Sequence, residues 1–179
     1  GEVKIAKLIT PMKVSDFGSL KELREFLIEI IQRRRKEMNK GKVINFEESA
    51  VIDETNVVCL SGGSLGGKGR GLAFINTLIY SFELGRLLPG INIKTPVTAI
   101  IGTDEFDMFM ERNHLWEKVK TENNYGELQK LFLSGNLSYT LEKELRIFLR
   151  HITKPLAVRS SSLFEDSMNH PFSGIFGTY

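Results

Sequence analysis

A single cysteine, Cys59, leaves the chain without an internal disulfide, as suits a reducing compartment. Set in the apolar run Val57-Val-Cys-Leu60, it reads as a small buried hydrophobe. No apolar run approaches the ~20 residues of a membrane span, and no signal-peptide pattern opens the chain, which points to a cytoplasmic protein. Neither sign of charge dominates. With 24 Lys and Arg against 22 Asp and Glu, the net charge of +2 argues against nucleic acid or an anionic membrane as main partner. His114, His151 and His170 stand at no metal-ligand spacing, and with one cysteine they argue against a zinc site. No Ser/His/Asp or Cys/His grouping assembles. Repeats and low-complexity tracts are also missing.

What is present is ordinary globular composition, 41% hydrophobic and 26% charged, in 179 residues: enough for one domain with a core, or a domain plus an arm. Gly1 in place of an initiator methionine, and an end at Tyr179 just past a glycine-rich motif, read as a cut through a longer protein.

Residues Glu2 to Pro11 read as a short strand or extended arm. Ser15-Asp16 or Ser19 offers a cap for an amphipathic helix carrying Leu20, Leu23, Phe26, Leu27, Ile30 and Ile31 on one stripe. Its basic end, Arg33 to Lys36, complements the helix dipole and lacks the interleaved aromatics of a nucleic-acid contact. Asn39-Lys-Gly-Lys42 ends it, and Val43 to Asn56 is an acidic connector with room for one strand. The expected division is thus an arm and connector over 1–56 and a nucleotide-binding part over 57–179.

In the second part, Val57 to Leu60 is a buried strand. A helix is expected from about Leu72 to Leu84, with Leu72, Ile75, Leu78, Ile79 and Phe82 inward. Leu88-Pro-Gly90 is a turn, and Thr95 to Ile101 a strand with Pro96 at its entry. Gly102-Thr-Asp104 caps a helix to Arg112, with Phe106, Phe109 and Met110 inward. The acids Asp104, Glu105 and Asp107 make a candidate carboxylate cluster, although first helical turns favour acids anyway. Trp116 to Ser134 and Ser138 to Arg150 read as two helices, and Pro155 to Val158 as a buried strand. Strands alternating with helices argue an α/β or α+β layered domain.

Two stretches carry chemistry. The first, Ser61-Gly-Gly-Ser-Leu-Gly-Gly-Lys-Gly-Arg-Gly71, comes after a strand and leads into a helix. Glycines let backbone amides approach a ligand, and the positive end of the helix suits a phosphate. A tight strand-to-helix turn without a ligand would read the same. Gly62 to Lys68 fits the start of a P-loop, but Gly69 stands where Ser or Thr must hold Mg2+. The dinucleotide fingerprint fails in every register. The second stretch, Ala157-Val-Arg-Ser-Ser-Ser-Leu-Phe-Glu-Asp166, brings an arginine off a strand into a serine cluster, a donor fork for phosphate oxygens. Phe172-Ser-Gly174 and Gly177-Thr178 would let a second backbone segment lie over a nucleotide. By composition alone a surface loop is the better reading.

Together the two stretches resemble the ATP-binding N-terminal domain of phosphoenolpyruvate synthase and pyruvate phosphate dikinase, shared with rifampicin phosphotransferase. Gly66-Gly-Lys-Gly-Arg-Gly-Leu-Ala73 is similar to its glycine-lysine-glycine opening segment. Ala157-Val-Arg-Ser-Ser-Ser, Glu165-Asp166 and Phe172-Ser-Gly174 are similar to its arginine-serine-serine, glutamate-aspartate and phenylalanine-alanine-glycine segment. The resemblance spans about Val57 to Tyr179 and implies the first part of an ATP-grasp-like domain, with ATP between two subdomains. It implies Lys68 and Arg159 as catalytic cations on the ATP phosphates, and places Gly66, Gly67, Gly69, Ser160, Ser161, Gly174 and Thr178 at the nucleotide. It further implies phosphate transfer from ATP to a histidine on another domain of the parent chain, then to pyruvate or another acceptor. Mg2+ ligands and the adenine pocket are expected outside this chain, so the fragment alone should be inactive. The sequence departs at Ile175-Phe176, where the family has paired glutamines, and at Gly177, where it has an acid. That departure supports an alternative, a non-catalytic nucleotide-sensing or regulatory module. Another is an interaction module whose helix from Leu20 to Ile31 docks a partner.

Overall fold

The computed structural model describes residues 3–48, 52–162 and 177–179. The chain divides into two compact units, Gly1–Lys40 and Gly41–Tyr179. In the first, the expected extended arm is a helix instead, α1 (Val3–Ile9). Alternating apolar residues fit a strand, but Ile5 and Ile9 also stand at i, i+4 and become its half-buried pair, and no strand among the described residues pairs with this segment. A 3-10 turn at Val14–Asp16 leads to α2 (Leu20–Asn39), where the Ser19 hydroxyl accepts the Glu22 amide at 3.1 Å as its N-cap. Leu23, Phe26, Leu27 and Ile30 form the half-buried stripe, with Phe26 tilted against Phe17. Leu20 and Ile31 are exposed, so the stripe is narrower than expected.

The second unit is built on a parallel sheet in the order β1 (Val43–Asn45), β2 (Val57–Cys59), β3 (Thr98–Ile100). Val57 pairs with Val43 on one side and Thr98 on the other. The division between units therefore falls before β1, because the stretch read as a connector supplies an edge strand. As a central parallel strand, β2 is covered on both faces, which explains its unbroken apolar run. Val58 and Leu60 pack with Leu141 and Phe148 of α8 (Tyr139–Arg150). Val57 and Cys59 face the other way, with Ile100 and Leu65.

Helix α3 (Gly66–Ser81) begins six residues before the expected start, so most of the glycine stretch is helical. Its buried residues are Gly66, Gly69, Ala73, Asn76 and Ile79. Ile75 and Phe82, expected inward, are 51% and 64% exposed. Small residues let a helix lie close to its neighbours, and Asn76 has partners there: its amide donates to the Thr55 carbonyl at 3.3 Å and accepts from the Thr95 hydroxyl at 2.9 Å. The helix stops at Phe82, and α4 (Leu84–Leu87) precedes the Pro89-Gly90 turn.

Helix α5 (Thr103–Arg112) buries Met110 and Glu105 and leaves Phe106 52% exposed, edge-on to Trp116. The expected single helix from Trp116 is two, α6 (Leu115–Thr121) and α7 (Tyr125–Leu133), because the Asn124 side chain caps a new start through the Gly126 and Glu127 amides. Ser138 caps α8 as expected, through the Leu141 amide at 3.1 Å. The stretch Pro155 to Val158 is exposed rather than a buried strand. Arg159 pairs with Thr178 in a single antiparallel bridge, and among the described residues no longer ladder continues it.

Candidate functional site

Parallel strands deliver their following loops to one edge of the sheet, the edge where open α/β sheets place ligands. Here the loop after β2 is Leu60 to Leu65, and the loop after β3 is Ile101-Gly102. The two interlock. Gly102 donates its amide to the Ser61 hydroxyl at 2.7 Å, and Thr103 donates its amide to the Ser64 carbonyl at 3.2 Å. The Thr103 hydroxyl accepts the Ser64 amide at 2.9 Å, and Asp104 donates its amide to the Gly62 carbonyl at 3.3 Å. Gly102 has to be glycine, since a Cβ there would overlap the Gly62 carbonyl.

The third component arrives from far along the chain. Ser161 lies on the first turn of α3. Its carbonyl accepts the Gly67 amide at 3.0 Å, and its hydroxyl accepts the Gly69 amide at 2.8 Å while donating to the Leu65 carbonyl at 2.7 Å. Gly66, at φ +70°, is where the two backbones come closest, and a Cβ there would fall on the Ser161 carbonyl. The two motifs, separated by about ninety residues, thus meet in backbone contact.

The helix start is therefore not an open set of donors. Leu65 at the N-cap provides no side-chain cap; the Gly67 and Gly69 amides of the first turn are taken by Ser161, and the Gly66 amide by the Ser64 hydroxyl at 3.3 Å. Lys68 is the third residue of the helix and is half-buried. Arg159 is exposed, held by its bridge to Thr178, with Val158 and Tyr179 exchanging amide–carbonyl bonds beside it. Ser160 is half-buried. Gly174, with Glu165, Asp166 and the rest of the expected cover over Phe172 to Phe176, lies outside the described residues.

Sequence reasoning missed Thr103 and Asp104 as supports of the glycine stretch. The signal was topological: each comes just after the strand next to β2. A Cβ on Gly62 would meet an Asp104 carboxylate oxygen at 2.6 Å, so this acid lies against the loop. Glu105, grouped with it in sequence, points elsewhere. It is 3% exposed and accepts the Ser138 amide and hydroxyl at 2.9 and 2.8 Å. The carboxylate cluster is not formed, and among the described residues no group of three or more His, Cys, Asp or Glu could hold a metal. A cavity of about 550 Å³ is lined by Glu48, Tyr139, Lys143, Arg146 and Arg150 on the outer side of α8, away from the junction of motifs.

The second unit is a parallel α/β domain whose glycine-opened helix lies beside an arginine-serine segment. Residues 63–179 match the family model described as pyruvate phosphate dikinase, AMP/ATP-binding domain, and the chain belongs to that family. The resemblance read from Gly66 to Ala73 and from Ala157 to Ser162 is thereby borne out, and with it an ATP-binding domain of kinase-type enzymes. No curated protein and no solved structure matches the chain. No helix among the described residues is long and apolar enough to cross a membrane.

Proposed function

We propose that this chain is the first part of an ATP-grasp-like domain of a phosphoenolpyruvate synthase or pyruvate phosphate dikinase-type phosphotransferase. In this reading ATP donates phosphate to a histidine on another domain of a longer cytoplasmic protein. The observation that carries it is the meeting of the two motifs at Ser161, which brings the segments bearing Lys68 and Arg159 to one place.

Phosphoryl transfer asks a protein mainly for positioning and for positive charge. With the Gly67 and Gly69 amides occupied by Ser161, the charged groups assigned to a triphosphate are the Lys68 ammonium and the Arg159 guanidinium, a point charge and a planar fork. Thr178, paired to Arg159, adds a hydroxyl beside it. The Mg2+ ligands belong, on this reading, to another part of the parent protein. On this reading the fragment binds nucleotide without completing transfer.

The test is ATP titration of the chain and ATP-dependent phosphohistidine formation in the parent protein. Lys68→Ala and Arg159→Ala should each cost about 2–4 kcal/mol of transition-state stabilisation, the size of one preorganised electrostatic group. Unchanged binding and transfer in both variants would sink the reading. Ile175-Phe176, in place of polar residues, favours a second one, a nucleotide sensor that binds ATP and never forms phosphohistidine.

A further inference from the structure

The resemblance places Ser161 at the nucleotide, but its hydroxyl has only one proton and that proton is on the Leu65 carbonyl, 2.7 Å away. One lone pair is on the Gly69 amide and the backbone carbonyl is on the Gly67 amide. A side chain committed in this way has no donor left for an anion. We infer that Ser161 is a positioning residue: it caps α3 from a distant part of the chain and so fixes the segment bearing Arg159 against the turn bearing Lys68. The inference rests on the ATP reading above and deepens it.

Three features agree. Gly66 serves an approach between backbones, since any side chain there would displace Ser161, and a Cβ on Gly69 would press on Ile100, Leu65 and the Ser161 hydroxyl. Leu65 leaves the helix without a side-chain cap at its N-cap, although Ser, Thr, Asp or Asn is the usual choice there. Arg159 lies two residues from Ser161, on a segment that also pairs briefly with the Thr178 segment. Removing the hydroxyl takes away its two bonds to the start of α3, leaving the Ser161 carbonyl on the Gly67 amide and both cations intact.

The experiment uses the full chain and ATP titration, with folding checked by circular dichroism. Ser161→Ala should weaken ATP binding about tenfold, the equivalent of two lost hydrogen bonds. Ser161→Thr, which keeps the hydroxyl, should restore it. Lys68→Ala and Arg159→Ala should be non-additive with each other in the parent sequence and additive in the Ser161→Ala background. Wild-type affinity in Ser161→Ala, with Lys68→Ala still impaired, overturns the clip and leaves the ATP reading standing. If neither cation matters for ATP, the nucleotide reading fails, and amide exchange then decides the clip. Protection at Gly69, whose amide is on the hydroxyl, should drop in Ser161→Ala and return in Ser161→Thr, and unchanged protection overturns it.

Discussion

Glu105 holds Ser138 with both of its carboxylate oxygens, tying the first turn of α5 to the N-cap of α8. The acid is buried, and Ser138 in turn caps the Leu141 amide, so one carboxylate fixes where the helix under β2 begins. Glu105→Ala should cost about 2–3 kcal/mol, because the Ser138 amide loses its partner within a part-buried site. Glu105→Gln, which keeps one acceptor, should cost about half as much. The shift in urea midpoint measures both, and equal stability of Glu105→Ala and the parent chain would refute the clamp.

The glycines of α3 should respond in opposite directions. Gly71 is exposed and helical with open space around it, so Gly71→Ala should stabilise by about 0.5–1 kcal/mol. Gly66→Ala meets both a positive φ and the Ser161 carbonyl, and should destabilise by about 1–3 kcal/mol. Thermal melts of the two variants side by side also test the register of the helix. A loop over 66–71 would give no stabilisation at Gly71.

Lys143 holds the Glu48 carboxyl below the usual carboxylate range by hydrogen bond and charge, and Glu48 in turn raises the Lys143 ammonium. A lowered acid contributes stability above its unfolded pKa and loses it as pH falls through the folded value. A raised base contributes below its unfolded pKa and loses it as pH rises through the folded one. The pair therefore acts across neutral pH and fades at both ends. Carboxyl NMR should place Glu48 below the ordinary range in the parent chain and return it in Lys143→Ala. No movement between the two would dismiss the pair.

Burial pushes the Cys59 thiol up from its ordinary range. Its neutral form is favoured by folding, a contribution present below the unfolded thiol pKa and lost as pH rises through the raised folded value. At pH 8 the folded chain should react with Ellman's reagent at least about tenfold more slowly than the urea-unfolded chain. Equal rates would place the thiol at the surface.

Much of this architecture is legible in residue order, for local reasons. Ser19 and Ser138 announce their helices because a cap is chemistry within three residues. Val57 to Leu60 announces a central strand because burial on both faces leaves no alternation. What is not legible depends on distant partners. Nothing near Ile75 and Phe82 says that α3 will turn Gly69, Ala73 and Asn76 inward, since the buried Asn76 is justified only by Thr55 and Thr95. The early start of α3 is hidden for a similar reason: six glycines in the stretch argue for a loop, yet four of them, Gly66, Gly67, Gly69 and Gly71, are helical under the cap from Ser161. At the site, the pairing of Lys68 and Arg159 segments could be expected from the two motifs together, whereas the role of Ser161 and the Thr103–Asp104 support required the loops to be seen interlocked.

The parallel sheet has a consequence for the order in which the chain folds. β2, its most buried strand, gains its second neighbour only when Thr98–Ile100 is available, after the whole of α3 and α4. Non-local parallel pairing of this kind carries its loop-closure cost before its reward, so it forms slowly. On a ribosome, Val57 to Leu60 would leave the exit tunnel as an apolar strand with one side unpaired. Until β3 emerges behind it, this short segment is the point at which a nascent chain is most open to wrong partners.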